Sequence, residues 1–282
     1  MTLLTATTGS THGLLPDEIG QLIVQPVRTA SVALQVATVA TTNSHEYRVP
    51  VALSDAGAAW TKEGDEIAPS DAQFDEIVVV PQKVAGLSII SRELASDSAP
   101  SAQQLVGQGL AQSLADKIDK AFFAAHTTNG PDGLLSVTDA QIVDTSDGIK
   151  NTDPFSEALS KAETVGGQIT SFVANPADVL TLSKVKRQAG SNEPLLGYDA
   201  SQPTKRVVLG VPLLSSPAVA AGDVWAIPLS KVVVVLREDV QLDVDRSQYF
   251  SSDRIGIRAS MRIGYAFPHA ATIIRLSAAG SA

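Results

Sequence analysis

The chain has 282 residues, 44% of them hydrophobic, no cysteine and a formal net charge of −9. That apolar content can fill a sizeable core, and the missing thiols exclude disulfides, thiolate metal centres and cysteine nucleophiles together. The acidic balance argues against a protein whose main work is gripping phosphates.

Residues 1–13, rich in Thr, Ser and Gly, have neither the basic start nor the apolar block of a signal peptide. Pro16, Asp17 and Glu18 open a short helix, with carboxylates near the positive end of its dipole and Ile19, Leu22 and Ile23 at helical spacing. From 29 to 43 the residues are small, β-branched and nearly uncharged. Two readings stand there, an extended arm packed against something else and an ordinary edge strand.

The stretch 46–94 organises the rest. Tyr47, Val49, Val51 and Leu53 alternate with Glu46, Arg48, Pro50 and Ala52, the period of a half-buried strand, and Pro50 confines that strand to a sheet edge. A second strand is predicted over 74–90, where Ile77, Val78, Val79 and Val80 imply cover on both faces. Between the strands lies a long polar tip with Trp60 beside Lys62, Glu63, Asp65 and Glu66. Loops of that length are seldom idle. Trp60 either folds back onto its own domain or anchors on another chain, since its small and acidic flanks offer little apolar cover.

Asp97, Ser98 and Pro100 supply caps for a helix over 101–125, with a stripe of Val106, Leu110, Leu114, Ile118 and Phe122; Asp116, Lys117, Asp119 and Lys120 crowd its other side. At 1.5 Å per residue it is roughly 35 Å long. A second region begins with Asp153 as N-cap and Pro154, its helix burying Phe155, Ala158, Leu159, Ala162 and Val165 before Gly166 and Gly167. A strand at 169–174, a helix opened by Asn175 and Pro176, and short strands near 207, 211–214, 224–227 and 232–236 make a mixed α/β unit. Val240, Leu242 and Val244 then alternate with Gln241, Asp243 and Asp245. A run over 254–267 sets Ile255, Ile257, Ala259, Met261, Ile263 and Tyr265 against an opposite face carrying Arg254, Arg258 and Arg262. No apolar run approaches the ~20 residues of a membrane-spanning helix.

Enzyme signatures are missing. His12, His45, His126 and His269 are scattered without zinc-helix pairing and read as structural. No phosphate loop, nucleophile elbow or dinucleotide fingerprint occurs, so no catalytic residue, cofactor or metal site is expected. Asp239, Asp243 and Asp245 share one side of a strand and read as a solvated face with an arginine partner rather than a cation site. Arg254, Arg258 and Arg262 line either a solvated surface or an ion-pairing face for an acidic partner. The hairpin tip of a neighbouring copy is one such partner.

In order along the chain, these residues resemble the Hong Kong 97-type major capsid proteins of tailed double-stranded DNA bacteriophages. The early segment of that family, Leu and Pro followed by acidic residues and a short helix, is similar to 15–23. The most specific pattern is Trp60, Glu63, Gly64, Phe74, Pro81, Lys83, Ser91, Arg92, Glu93, Leu94 and Asp97. Further matches are Leu209, Gly210 and Pro212, the pair Gly222 and Asp223, Arg237 with Asp239, and Arg258, Arg262 and Gly264 before Pro268. The resemblance implies an α+β fold of five parts: an N-terminal arm (1–44), an extended hairpin loop (45–85), a peripheral domain with a long spine helix (86–148), an α/β axial domain (149–235), and the peripheral return strands and tail (236–282).

It also implies a non-enzymatic shell protein of the virion, assembled in the host bacterial cytoplasm into homo-pentamers and homo-hexamers. Trp60, Lys62, Glu63, Asp65, Glu66, Arg254, Arg258 and Arg262 are then the expected inter-subunit contacts. A portal, separate scaffolding or decoration proteins, and packaged DNA touched without sequence preference are the expected partners. Some members crosslink a loop lysine to an asparagine beside a glutamate; Lys62 matches the lysine, but Asp253 and Ser260 stand at the other two positions and no asparagine follows Asn192. No crosslinking is expected. No long helical segment stands ahead of the arm, so a separate scaffolding protein, or the arm itself, is expected to guide assembly. An encapsulin-like compartment enclosing protein cargo is the alternative of the same fold, and a soluble enzyme with an unrecognised site is the third reading.

Overall fold

A computed structural model of the chain describes residues 27, 29–54, 57–58, 60–62, 64, 71, 73–91, 93, 101–188, 191–196, 206–245 and 247–278. The expected helix after Pro16, His12, and the caps Asp97, Ser98 and Pro100 lie outside them. Residues 29–43 combine a helical turn, α1 (Val32–Val36), with a strand, β1 (Thr38–Thr41). The strand half of the earlier reading holds, and the helix is a correction: Ser31 caps it, its hydroxyl accepting from the Leu34 N–H at 3.4 Å.

The hairpin is formed by β2 (Tyr47–Ser54) and β3 (Gln73–Val79), an isolated antiparallel pair, so Pro50 sits where no further strand needs its missing N–H. The single return strand expected over 74–90 is two strands. It breaks at Val80–Pro81, and β4 (Gln82–Ser91) leaves the hairpin for a different sheet. Two-sided cover of 77–80 is also corrected, because only Val79 is buried while Val78 remains 45% exposed.

The long helix, α2 (Ser101–Phe123), follows its sequence pattern: Leu114, Ile118 and Phe122 are buried. After it come β5 (Gln141–Asp144), α3 (Asp153–Thr164), β6 (Ser171–Ala174) and α4 (Pro176–Lys184). Thr152, not Asp153, occupies the N-cap of α3, and Val165 is exposed rather than core. The Asn175 expectation holds, its side chain accepting from the Ala177 N–H at 3.0 Å. Next are β7 (Val207–Val208), β8 (Val211–Ser215) and β9 (Asp223–Ile227), with a tight turn at Leu209 and Gly210, φ 51° and 83°. The runs read separately at 232–236 and 240–245 are one irregular strand, β10 (Val233–Asp245). It pairs with β11 (Arg254–Ala266), and β12 (Ile274–Ser277) closes the chain's described strands.

Two larger sheets result, ordered β1-β10-β11-β4 and β5-β12-β9-β6-β8-β7. β12 pairs with β5 and β9, so the six-stranded sheet draws on 141–144 and 274–277 as well as the 149–235 region. The reason is alternation. Ile274 and Leu276 face the α3–α4 core with Phe172, Val224 and Ala226, whereas Val173, Trp225 and Ile227 face the core shared with α2 and β11. Phe122 holds that shared core through edge-on rings of Phe123 and Tyr265, with centroids 5.0 and 5.2 Å away.

Asp119 is the one correction to the pattern expected for α2. Expected on the solvent side, it is buried and receives the Ser31 hydroxyl at 2.6 Å and the backbone N–H groups of Val32 and Ala33, each at 3.0 Å. It fastens α1 to the long helix. Another buried pair escaped the sequence reading: Arg275 donates to both Asp223 oxygens at 2.9 and 3.2 Å and lies 5.9 Å from the Trp225 ring centre. Among the described residues no helix is long and apolar enough to cross a membrane.

Candidate assembly surfaces

The ribbon β2–β3 buries little of its own. Val49 and Val79 pack on Val235 and Ala266 of the four-stranded sheet, with Tyr47 and Ile77 at the margin. A Cβ on Gly264 would stand 2.5 Å from a Val79 methyl, so glycine lets the base of the ribbon lie flat on the sheet. Farther out, Arg48 ion-pairs with Glu76 across the ribbon, and Phe74 and Trp60 are exposed. Trp60 has no cover among the described residues. Lys62 is exposed as well; Glu63, Asp65 and Glu66 lie outside the described residues.

The surface on which the ribbon base lies continues along the sheet. In β11 the residues facing α2 are Ile255, Ile257, Ala259, Met261 and Ile263, so Arg254, Arg258 and Arg262 share the opposite, outer face as their spacing requires. Arg258 donates to Asp243 on β10 through Nη2 at 2.6 Å and Nε at 3.2 Å. That bears out an arginine partner for the aspartate face. Arg254 is exposed and Arg262 half-buried. Asp245 accepts from the Ser247 hydroxyl and N–H, which hold its carboxyl below the usual range.

The sequence reading named Lys83 in its motif and gave it no contact role. The register of β4 against β11 makes it the direct cross-strand partner of Arg262, with Leu87 opposite Arg258 and Ile89 opposite Gly256. Leu87 and Ile89 are 59% and 44% exposed. The strand expected over 74–90 included this segment, but which of its residues stand opposite the arginines could be found only by knowing its partner.

Nothing among the described residues assembles a reaction centre. His126 contacts Asp132 at 2.7 Å in an exposed turn, and His45 lies 3.5 Å from an Arg237 nitrogen. Burial, followed by the nearby Lys231 charge, lowers the pKa of His269. No cluster of His, Asp and Glu with metal-binding proximity occurs among the described residues. Asp253, at the crosslinking asparagine's place, is exposed with φ 49°, and Ser260, at the glutamate's place, is half-buried.

Solved structures of similar fold are capsids. The capsid of the native GTA particle is 19% identical with TM-score 0.69, and that of the empty GTA particle is 18% identical with TM-score 0.73; each match covers 99% of this chain and 96% of that one. A Mycobacterium phage Bobi structure is 16% identical, with TM-score 0.70, covering 89% of this chain and 91% of that one. None of the curated proteins compared with the chain matches it. The family model described as the phage capsid family matches residues 12–277, and by that match the chain belongs to the phage capsid family.

Proposed function

We propose that this phage major capsid protein builds its shell in the Hong Kong 97-type manner. Residues 1–44 act as arm, 45–85 as extended loop, and 86–148 with the return strands of 236–282 as peripheral domain. Residues 149–235 act as axial domain, joined in their sheet by β5 and β12. Copies form pentamers and hexamers through axial domains, and each hairpin reaches across a neighbour. The shell encloses double-stranded DNA as part of the virion, with a portal and separate scaffolding or decoration proteins as partners. Its strength comes from protein contacts repeated by symmetry, consistent with a net charge of −9.

The observation that carries this reading is the exposed Trp60 beyond an isolated two-stranded ribbon that meets the four-stranded sheet through Val49 and Val79. A large aromatic without local cover is the type of residue that dominates protein interfaces. Trp60→Ala is expected to leave the isolated subunit's stability within about 0.5 kcal/mol, as for other surface changes. It should cost about 2 kcal/mol or more per inter-subunit contact, seen as a much lower shell yield by electron microscopy. Normal particles of unchanged thermal stability would refute the anchor.

The hold is non-covalent. Denaturing gels of assembled shells should show a single band at 29.4 kDa; a ladder of covalent multimers would contradict this. The family match favours a phage shell over a cargo compartment, and the nucleic-acid content of purified particles checks it.

A further inference from the structure

We infer that Lys83 and Arg262 form the cationic seat for the acidic hairpin tip of a second copy, with Leu87 and Ile89 as its apolar border, and that Arg258 is not part of it. This rests on reading the hairpin as a clasp between subunits. The two cations are direct cross-strand partners on the outer face of β4 and β11. Like charges so placed destabilise a sheet, and neither side chain has an ion pair among the described residues. Glu238 is the backbone partner of Arg262 on the other side, and its side chain lies outside the described ones. An entering carboxylate would relieve the repulsion between Lys83 and Arg262, so the arrangement costs the free subunit and is offset on association.

The occupant follows from charge and shape. Between 55 and 76 the hairpin carries seven carboxylates and one lysine, and among the described residues of the ribbon only Arg48 ion-pairs with one of them, Glu76. The same outer face already accepts a β-ribbon at one end, where Val79 lies against Gly264. Beyond that end the outward positions include Ala85 and Ser260, small residues that leave the sheet low enough for a second ribbon, and then the exposed Leu87 and Ile89; Gly256, opposite Ile89, is already covered by the Tyr249 ring, 3.4 Å from where a Cβ would stand. Phe74 and Trp60 on the incoming hairpin are apolar groups suited to that border. Arg258 lies between these features but is already held by Asp243 through two hydrogen bonds.

The full-length chain with Lys83→Glu and Arg262→Glu tests the seat, with shell formation followed by light scattering and electron microscopy and folding by circular dichroism of the unassembled subunit. Assembly should slow at least tenfold while the subunit stays folded. Adding Glu63→Lys, Asp65→Lys and Glu66→Lys to the same chain should restore most of the rate, because the charges are exchanged rather than removed. Arg258→Gln and the charge-reversal control Lys120→Glu, on the exposed side of α2, should each change it less than twofold. A folded Lys83→Glu/Arg262→Glu variant that assembles at the normal rate, or one that the tip reversal fails to rescue, overturns the seat while wild-type shells leave the capsid reading standing. Wild-type protein that forms no shells or capsomers overturns both.

Discussion

Replacing Asp119 by alanine is expected to lower the stability of the unassembled subunit by about 3 kcal/mol, because three donors lose their acceptor in a buried place. The donors are the Ser31 hydroxyl and the Val32 and Ala33 N–H groups, all of which reach the carboxylate across more than eighty residues of sequence. At the usual scaling this is a fall in melting temperature on the order of 6–12 °C. Amide exchange should accelerate first in α1 and β1, since α1 hangs on this carboxylate and β1 is the edge strand that follows it.

The effect depends on pH, with a definite sign. Burial raises the Asp119 pKa above the ordinary 3.8, against the lowering effect of its hydrogen bonds from Ser31, Ala33 and Val32. The folded chain therefore holds this proton more tightly than the unfolded chain. The associated stabilisation is full below the unfolded value and is lost as pH rises through the folded one. Tyr265 and Asp116 are the neighbouring titratable groups; burial, reinforced by the Asp119 charge, raises the Tyr265 pKa, and its phenol donates to the Ile118 carbonyl at 2.9 Å. The stability gap between wild type and Asp119→Ala, measured by urea denaturation, should therefore be largest on the acid side and narrow toward neutrality. A gap below about 1 kcal/mol throughout, too small for three lost hydrogen bonds, or one that widens with pH, would contradict the assignment.

Gly133→Ala should be more damaging still, at about 4 kcal/mol or more, seen as loss of soluble subunit. A Cβ at Gly133 would stand 2.2 Å from the Ala121 carbonyl oxygen and 2.5 Å from those of Phe122 and Ala124. All three are backbone atoms at the C-terminal end of α2, and none can rotate away. The chain must pass this close because Leu134, the next residue, is buried in the core shared with Phe122 and Phe123. Gly109→Ala is the matching control: it lies in α2 with no atom within 4 Å of its Cβ, so the better helix former should stabilise by about 0.5–1 kcal/mol. A soluble Gly133→Ala subunit as stable as wild type would show that the helix end can yield.

The long helix, the Asn175 cap, the alternation of β11 and the hairpin were legible because each depends on periodicity or on a capping side chain within a few residues. So was the polar tip around Trp60, whose lack of cover is a property of its own flanks. The family's motif order read from Trp60 to Asp97 agrees with membership of the phage capsid family over 12–277. Less legible were features that depend on who sits opposite. Two-sided cover of 77–80 failed because only Val79 finds a sheet beneath it, and Asp119 looked solvated because its three donors lie far back along the chain.

What the sequence by itself determined is therefore the set of elements, their apolar faces, the acidic tip and the absence of familiar catalytic motifs. These follow from local spacing, which the covalent chain fixes before any folding. Only the tertiary structure decided which charges are spent and which remain. Strand register placed Asp243 beside Arg258 and Lys83 beside Arg262, and a register is a choice among partners distant in sequence. It likewise brought β12 back to β9, setting Arg275 within reach of Asp223. Charge pairing depends on distances of a few ångströms, and those distances exist only once the sheets have closed.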